Sequence, residues 1–317
     1  MTATATRSAA DAGPPTGEGG RPLKVTDRAK SERRLGWMLC APAVFVMLLV
    51  TAYPIGYALW LSFQRYDLRF PDEQEFVGID NYTSVLSSPL WWDDVANTFT
   101  ITIISVFVEL VLGMGLALVM HRALFGRAVA RTTILVPYAI VTVVAALAWR
   151  FAFDPTTGFV NGLLGFEDEA WFDERLPAMV VIIATEVWKT TPFMALLLLA
   201  GLVLVPDDAL KAARVDGAGN WYRFRKITLP LMKPAILVTL LFRTLDAFRI
   251  FDSVFVQTRG SVGTETVSIL GYNQLLNWLN LGIGSAVSVL IFILVLLIAF
   301  AFTKVLGADL GQQRGER

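Results

Sequence analysis

Residues 206–230 read PDDALKAARVDGAGNWYRFRKITLP, a charged stretch that separates two long apolar segments. Asp207 or Asp208 is suited to cap the N-terminus of a helix that begins directly after Pro206. Glycine commonly follows the end of a helix, so this first helix is predicted to stop at Gly217. A second short helix follows and ends before the next apolar segment. A helix pair between two membrane spans is typical either of a docking element or of an ordinary surface loop.

The chain on both sides of this stretch is strongly apolar. Of its 317 residues, 55% are apolar and 17% are charged, against about 25% charged residues in a typical soluble domain. Each of the apolar segments is long enough to cross a ~30 Å hydrocarbon core. Six such segments are predicted to be membrane spans: 35–63, 96–120, 132–153, 176–205, 230–258 and 281–306. The sequence therefore predicts an all-α membrane protein with six transmembrane helices.

The same composition argues against other classes of protein. A soluble enzyme, a nucleic-acid-binding protein and a disulfide-stapled secreted domain are all disfavoured, and the single cysteine, Cys40, excludes an internal disulfide bond. The sequence holds no cluster of metal ligands, no nucleophile motif and no glycine loop for phosphate. We therefore expect no enzyme activity, no metal and no ATP site in this chain.

The distribution of basic residues predicts the orientation of the spans. With the N-terminus inside, and with residues near the span ends counted with the adjoining loop, 19 Lys and Arg residues lie on the inner side and five on the outer side, as the positive-inside rule requires. Both termini and residues 206–228 are therefore predicted to be cytoplasmic. Residues 1–30, rich in Ala, Thr, Gly and Pro, are predicted to be a disordered tail. The membrane domain is predicted over residues 31–306, and residues 307–317 form a second cytoplasmic tail.

Several charges lie inside the predicted spans, where each costs roughly 2.5–3.5 kcal/mol at a helix centre. They are Glu109, Glu186, Lys189, Arg243, Asp246, Arg249 and Asp252. The last six form three pairs of opposite charge with a spacing of three residues, so each pair can neutralise itself on one helix face. Such pairs are typical of a polar substrate path or of structural charges near helix ends. Glu109 has no local partner and is predicted to bond to another helix or subunit.

Residues 206–230, called the linking stretch from here on, resemble the signature loop of the permease subunits of binding-protein-dependent ABC importers. The matching residues are Ala212, Ala213, Asp216, Gly217, Ala218, Phe224, Ile227, Leu229, Pro230 and Pro234. Lys211 stands where this family usually has a glutamate. The resemblance implies that an ATPase subunit docks on Lys211, Ala212, Ala213, Asp216, Gly217, Ala218 and Phe224.

Further motifs resemble the carbohydrate branch of that family, including its trehalose-importing members. They include Asn81-Tyr82, Leu135-Val136-Pro137-Tyr138 and Phe251-Asp252. The resemblance implies a type I ABC importer permease in the cell membrane. Its expected partners are a second permease subunit, two ATPase copies that bind ATP and Mg²⁺, and an external solute-binding lipoprotein. The expected substrate is a di- or oligosaccharide, with trehalose as the first choice.

The resemblance also implies which residues contact the sugar. Carried over from the maltose permeases of the family, they are Tyr138, Thr142, Glu186, Lys189, Thr190, Phe193, Asp246, Ala247 and Ile250. Ala247 and Ile250 stand where those permeases have amides. Other functions stay open at this point: an ABC permease for glycerol phosphate or a polyol, a proton-coupled secondary transporter that uses the buried carboxylates, or a membrane enzyme.

Overall fold

A computed structural model describes residues 27–122, 127–166 and 169–315. Most of the predicted N-terminal tail, residues 1–26, and the last two residues of the chain lie outside the described residues. The chain divides into two compact units, residues 1–55 and residues 56–317. The first helix, Asp27–Leu61, contains this boundary, and all the later elements belong to the second unit.

The described chain is helical apart from one short hairpin. The helices are α1 (Asp27–Leu61), α2 (Asp80–Ser87), α3 (Pro89–Arg122), α4 (Arg127–Ala139), α5 (Thr142–Ala152), α6 (Val160–Leu164), α7 (Arg175–Val203), α8 (Asp207–Val215), α9 (Asn220–Arg223), α10 (Leu229–Ala247), α11 (Asp252–Gln257), α12 (Val267–Tyr272) and α13 (Leu281–Gly315). The antiparallel strands are β1 (Gln64–Arg65) and β2 (Glu75–Phe76).

Five segments of the described chain are long and apolar enough to cross a membrane. They are Arg34–Leu61, Pro89–His121, Arg175–Val203, Asn220–Gln257 and Leu281–Lys304. A sixth arises if α4 and α5 together count as one span. The predicted third span, residues 132–153, is therefore wrong as a single helix. Its two halves meet at 90°, because Val141 adopts an extended backbone (φ −56°, ψ 134°) that ends one helix and starts the next in a new direction.

The predicted fifth span is also interrupted. Helix α10 ends at Ala247, and α11 begins only at Asp252, so residues 248–251 are not helical. Non-helical backbone at membrane depth is tolerated where it is buried in protein or lines a polar cavity. The two breaks, one after α4 and one after α10, are therefore each expected to be buried in protein or to line a polar cavity.

The apolar core lies between α3, α7 and α10. Met114, Met194 and Leu198 are buried there with Met232 of α10. Helices α3 and α7 approach closely at Gly113, where a Cβ atom would lie 2.9 Å from Cγ of Met194. Small residues at such positions let membrane helices approach each other. This close packing fixes α3 against α7 and thereby fixes the polar side chains that both helices carry.

The linking stretch forms the first short helix, α8, as the sequence predicts, but the second does not end before the next span, since α9 continues through a π-helical segment, Phe224–Thr228, into α10. Helix α8 is followed by Gly217, whose φ of 82° lies in the left-handed region that favours glycine. The predicted side-chain cap is wrong, since Pro206 occupies the N-cap position and neither Asp207 nor Asp208 makes a capping hydrogen bond. Both carboxylates lie in the first turn of α8, where they interact favourably with the helix dipole.

Candidate functional site

A cavity of about 390 Å³ lies where the two helix breaks face α7. Its lining residues are Tyr138, Thr142, Glu186, Lys189, Thr190, Arg243, Asp246, Arg249, Ile250, Phe251 and Asp252. Tyr138 and Thr142 stand on either side of the break between α4 and α5. Asp246 and Asp252 stand on either side of the break between α10 and α11. The broken helices thus bring short polar side chains from distant parts of the sequence to one space.

Arg243 organises the inner wall of this cavity. Its side chain is 1% exposed, and Glu109 on α3 is fully buried. Nε of Arg243 donates to Oε2 of Glu109 at 2.5 Å, and a terminal nitrogen donates to Oε1 at 2.9 Å. Thr190 on α7 also donates to Oε1 of Glu109 at 2.7 Å. The prediction that Glu109 bonds to another helix is confirmed, and the geometry is the bidentate one in which arginine binds carboxylates strongly.

The same guanidinium holds two carboxylates of the cavity wall. It donates to Asp246 at 2.8 Å and to Glu186 at 3.3 Å, and Ser253 donates to the other oxygen of Glu186 at 2.5 Å. Of the three predicted self-neutralising pairs, only Arg243 with Asp246 forms among the described residues. The expectation for Glu186 with Lys189 is wrong, because an arginine from another helix reaches Glu186 instead.

Aromatic rings form a second part of the cavity surface, beside the charged side chains. Tyr138 stacks on Phe193 with ring centroids 5.3 Å apart and an angle of 13° between the planes. Nζ of Lys189 lies 5.5 Å from the centroid of the Tyr138 ring, a cation–π distance. On the other side of the cavity, Phe251 stacks on Phe255 at 5.1 Å. The cavity therefore offers aromatic faces beside charged and hydroxyl groups.

The lining is balanced in charge. Three acidic side chains, Glu186, Asp246 and Asp252, stand with three basic ones, Lys189, Arg243 and Arg249. Two hydroxyl-bearing threonines complete the polar surface. Carboxylates accept hydrogen bonds from hydroxyl groups, and basic groups donate to them. Aromatic faces pack against apolar rings, so this lining is chemically suited to a neutral polyhydroxylated ring.

The structure brings seven of the nine candidate path residues to the cavity. Phe193 lies outside the lining and supports Tyr138 from behind. Ala247 is 3% exposed and belongs to the apolar cluster between α3, α7 and α10, so it does not line the cavity. Four further lining residues were not among the candidates: Arg243, Arg249, Phe251 and Asp252. Three of these carry the charges that the sequence places inside the spans, a signal that could have identified them.

The candidate docking residues occupy α8 and the turn after it. The side chains of Lys211 and Ala212 are exposed, as are Asp216 and Gly217. Ala213, Ala218 and Phe224 are partly buried. Nζ of Lys211 pairs with Asp208 at 3.2 Å, and both side chains are largely exposed. The linking stretch thus presents a surface of small residues on α8, which lies between α7 and α10 in the chain.

The opposite end of the bundle carries a separate polar surface. The segment between α1 and α2 is tied to the segment before α13, where the amide of Leu68 donates to the carbonyl of Leu279 at 2.9 Å. Hydrogen bonds from Arg69 lower the pKa of Asp67 to about 2, so this ion pair persists in mild acid. Burial raises the pKa of Glu265, which accepts a hydrogen bond from Asn273. No group of three His, Cys, Asp or Glu side chains in the described part of the chain could hold a metal ion.

Comparisons with known proteins agree with this architecture. A family model described as binding-protein-dependent transport system inner membrane component matches residues 86–312. The trehalose transport system permease protein SugA of Mycobacterium tuberculosis is 55% identical over 283 residues, which are 89% of this chain and 92% of that protein. The trehalose/maltose transport system permease protein MalF of Thermococcus litoralis is 39% identical over 279 residues, which are 86% of this chain and 94% of that protein.

A solved structure shares the fold. The crystal structure of a bacterial ABC transporter involved in the import of the acidic polysaccharide alginate contains a chain with a TM-score of 0.76 and 21% identity. The match covers 89% of this chain and 99% of that chain, and it confirms the predicted type I importer permease fold. The chain therefore belongs to the family of binding-protein-dependent transport system inner membrane components, and it is a multi-pass membrane permease subunit.

Proposed function

We propose that this permease subunit carries a neutral di- or oligosaccharide, with trehalose as the first candidate, into the cytoplasm. The observation that carries the proposal is the cavity between the two helix breaks, with its balanced charges and its aromatic faces. The identity to permeases named for trehalose, 55% and 39%, supports the choice of sugar. The candidate path residues on α4, α5, α7 and α10 are the groups we expect to contact it.

A phosphorylated solute fits this cavity less well. Such a ligand needs cations that are free to pair with it, as in the bidentate binding of phosphate by arginine. Arg243 is already held by Glu109, Glu186 and Asp246. Lys189 faces the Tyr138 ring, and the lining as a whole holds as many acidic as basic side chains. A neutral sugar is therefore favoured over glycerol phosphate.

The proposal includes a division of labour among subunits. This chain forms half of the translocation path with a second, different permease subunit, and it binds no cofactor and hydrolyses no ATP. Two copies of a cytoplasmic ATPase bind ATP and Mg²⁺ and dock on residues 206–228. A solute-binding lipoprotein delivers the sugar at the opposite end of the bundle, and nucleic acid has no part. The positive-inside count, which predicts that α8 and both termini are cytoplasmic, supports this arrangement.

Uptake by the complete transporter in proteoliposomes tests the proposal. Labelled trehalose should accumulate with ATP inside, and unlabelled trehalose should compete while glycerol 3-phosphate should not. A transporter without its solute-binding protein is the matched control and should take up little. Failure of trehalose, maltose and other neutral disaccharides to accumulate, with uptake of glycerol phosphate instead, would contradict the proposal.

The same assay separates ATP-driven import from proton coupling. Uptake should require ATP and should survive collapse of the proton gradient. The buried carboxylates favour this result, because Glu109 and Glu186 are both held by Arg243 and are not free to act as proton relays. Uptake that follows a proton gradient in the absence of ATP would make the chain a secondary transporter.

A further inference from the structure

A second cavity, of about 530 Å³, lies beneath the linking stretch and not at the candidate sugar path. Its floor is apolar and comes from the last turns of two membrane helices, with Leu118 on α3 and Leu202 on α7. Its rim is polar and comes from α8 and α9. The lining of this cavity therefore changes from apolar to polar at the level where the membrane spans end.

One face of α8 supplies half of the rim. Asp207, Leu210, Lys211 and Arg214 line the cavity, and their spacing of three, one and three residues places them on a single helix face. Of the candidate docking residues, Lys211 and Phe224 also line the cavity, whereas Ala212, Ala213 and Asp216 do not. Helix α8 thus has an inner face toward the cavity and an outer face that is left for a protein partner.

The rim is rich in hydrogen-bond donors with positive charge. Lys211, Arg214 and Arg223 stand against one acidic side chain, Asp207, and His121 lies at the end of α3. Arg223 is partly buried and donates to Asn220 through a terminal nitrogen. Its Nε is buried and has no hydrogen-bond partner in the described part of the chain. A buried guanidinium nitrogen that lacks a partner is costly and is suited to an anionic oxygen.

We propose that this cavity binds one anionic phospholipid, with the phosphate group at Arg214 and Arg223 and an acyl chain against the apolar floor. The ligand must be amphipathic because the floor is apolar and the rim is cationic. A position at the ends of two membrane helices places the rim at the level of lipid headgroups, where basic pockets attract anionic lipids. The lipid stands behind α8 and steadies the helix that we expect to couple to the ATPase. The inference is independent of which solute the permease carries.

Native mass spectrometry of the complete transporter tests the proposal. After purification in mild detergent, the transporter with the natural chain should retain phosphatidylglycerol. The double variant Arg214→Gln/Arg223→Gln should retain it about 30-fold more weakly, since two cations at the headgroup level are removed. The matched control Arg225→Gln/Lys226→Gln removes two neighbouring charges that do not line the cavity and should retain the lipid as the natural chain does.

Three further measurements keep the test decisive. The variant Arg214→Lys/Arg223→Lys keeps both charges and should keep most of the lipid, which separates loss of charge from misfolding. Equal retention by the glutamine variant would overturn the proposal. Inorganic phosphate that displaces the lipid at equal concentration would assign the cavity to a soluble phosphate compound and would also overturn it. Retention of the lipid by the two permease subunits alone, but not by the complete transporter with its ATPase, would assign the rim to the protein interface, with the same consequence.

Discussion

Two ion pairs with the same spacing occupy opposite environments in this molecule. Arg243 pairs with Asp246 at 2.8 Å in the membrane domain, and Lys211 pairs with Asp208 at 3.2 Å on α8. The Arg243 side chain is 1% exposed and its partner Asp246 is 63% exposed, whereas Lys211 and Asp208 are 70% and 95% exposed. A spacing of three residues therefore does not decide what a charge pair contributes. The environment decides it, because burial of Arg243 removes the water that would otherwise stabilise its charge.

The difference in burial suits the Arg243 network and α8 to different roles. Arg243 is fixed by three carboxylates from three helices, so it holds the cavity wall in one geometry. On α8, the charges are loosely paired and the small side chains are accessible, so the surface is free for a partner. We therefore expect the loss of Arg243 to act mainly on stability and a substitution at Gly217, at the end of α8, to act mainly on coupling.

The largest effect is expected from Arg243→Met, which breaks the buried network and leaves the matching exposed pair intact. Removal of one partner from a buried ion pair costs about 3–5 kcal/mol, because the remaining carboxylates stay buried without a counter-charge. The thermal midpoint of the purified transporter should fall sharply. An unchanged midpoint would mean that Glu109 and Glu186 are hydrated in the membrane and that the contrast with α8 does not exist.

The second effect concerns Gly217, whose φ of 82° ends α8. Gly217→Val places a branched side chain in a left-handed conformation, which costs roughly 1–2 kcal/mol in the linking stretch alone. Nothing lies within 4 Å of the added Cβ atom, so the membrane domain should assemble normally. Sugar-stimulated ATP hydrolysis should be lost while the chain remains in the membrane. Gly219→Ala, at a neighbouring glycine without a positive φ, is the matched control and should retain activity.

A smaller effect is expected from Glu186→Gln, which keeps the size of the side chain and removes its charge. The hydrogen bond from Ser253 can persist, but the ion pair with Arg243 and the charged acceptor for a sugar hydroxyl are lost. The KM for sugar should rise by up to about tenfold, or about 1.4 kcal/mol, with normal assembly. Sugar uptake with an unchanged KM would show that Glu186 has a purely structural role.

The smallest effect is expected from Lys211→Ala, which removes the exposed pair. Surface ion pairs contribute about 0–1 kcal/mol, so the thermal midpoint should stay close to that of the natural chain. Compared with Arg243→Met, this variant sharpens the contrast between the two environments. A fall in the midpoint as large as that of Arg243→Met would contradict our account of α8 as a loosely held surface.

The sequence predicts the spans better than it predicts their interruptions. The apolar segments are long, so their existence follows from length and composition, and α8 follows from its flanking Pro206 and Gly217. The 90° bend before α5 is not visible in the pattern, because residues 140–141 are as apolar as their neighbours. The break after α10 contains one charge, Arg249, but no glycine or proline, so it too escapes a pattern based on turn residues.

The sequence likewise predicts only part of the cavity lining. Charges within a span show that a polar place exists, but they do not show which partner each one chooses. Glu109 and Arg243 are 134 residues apart in the chain, so only tertiary packing brings them together. That packing takes Glu186 away from Lys189 and leaves Lys189 over the Tyr138 ring. Ala247 was misplaced because the rotation of α10 about its axis cannot be determined from spacing alone.

The central claim is that sugar passes through the cavity between the helix breaks. The chain has a single cysteine, so Cys40→Ser gives a cysteine-free background, and Thr142→Cys then adds one thiol on the cavity wall. Ser84→Cys, at the opposite-end polar surface, serves as the control. In the complete transporter, a methanethiosulfonate reagent should block trehalose uptake through Cys at position 142, and trehalose should slow that reaction but not the reaction at position 84. Full labelling at position 142 with normal uptake and no protection by sugar would contradict the account.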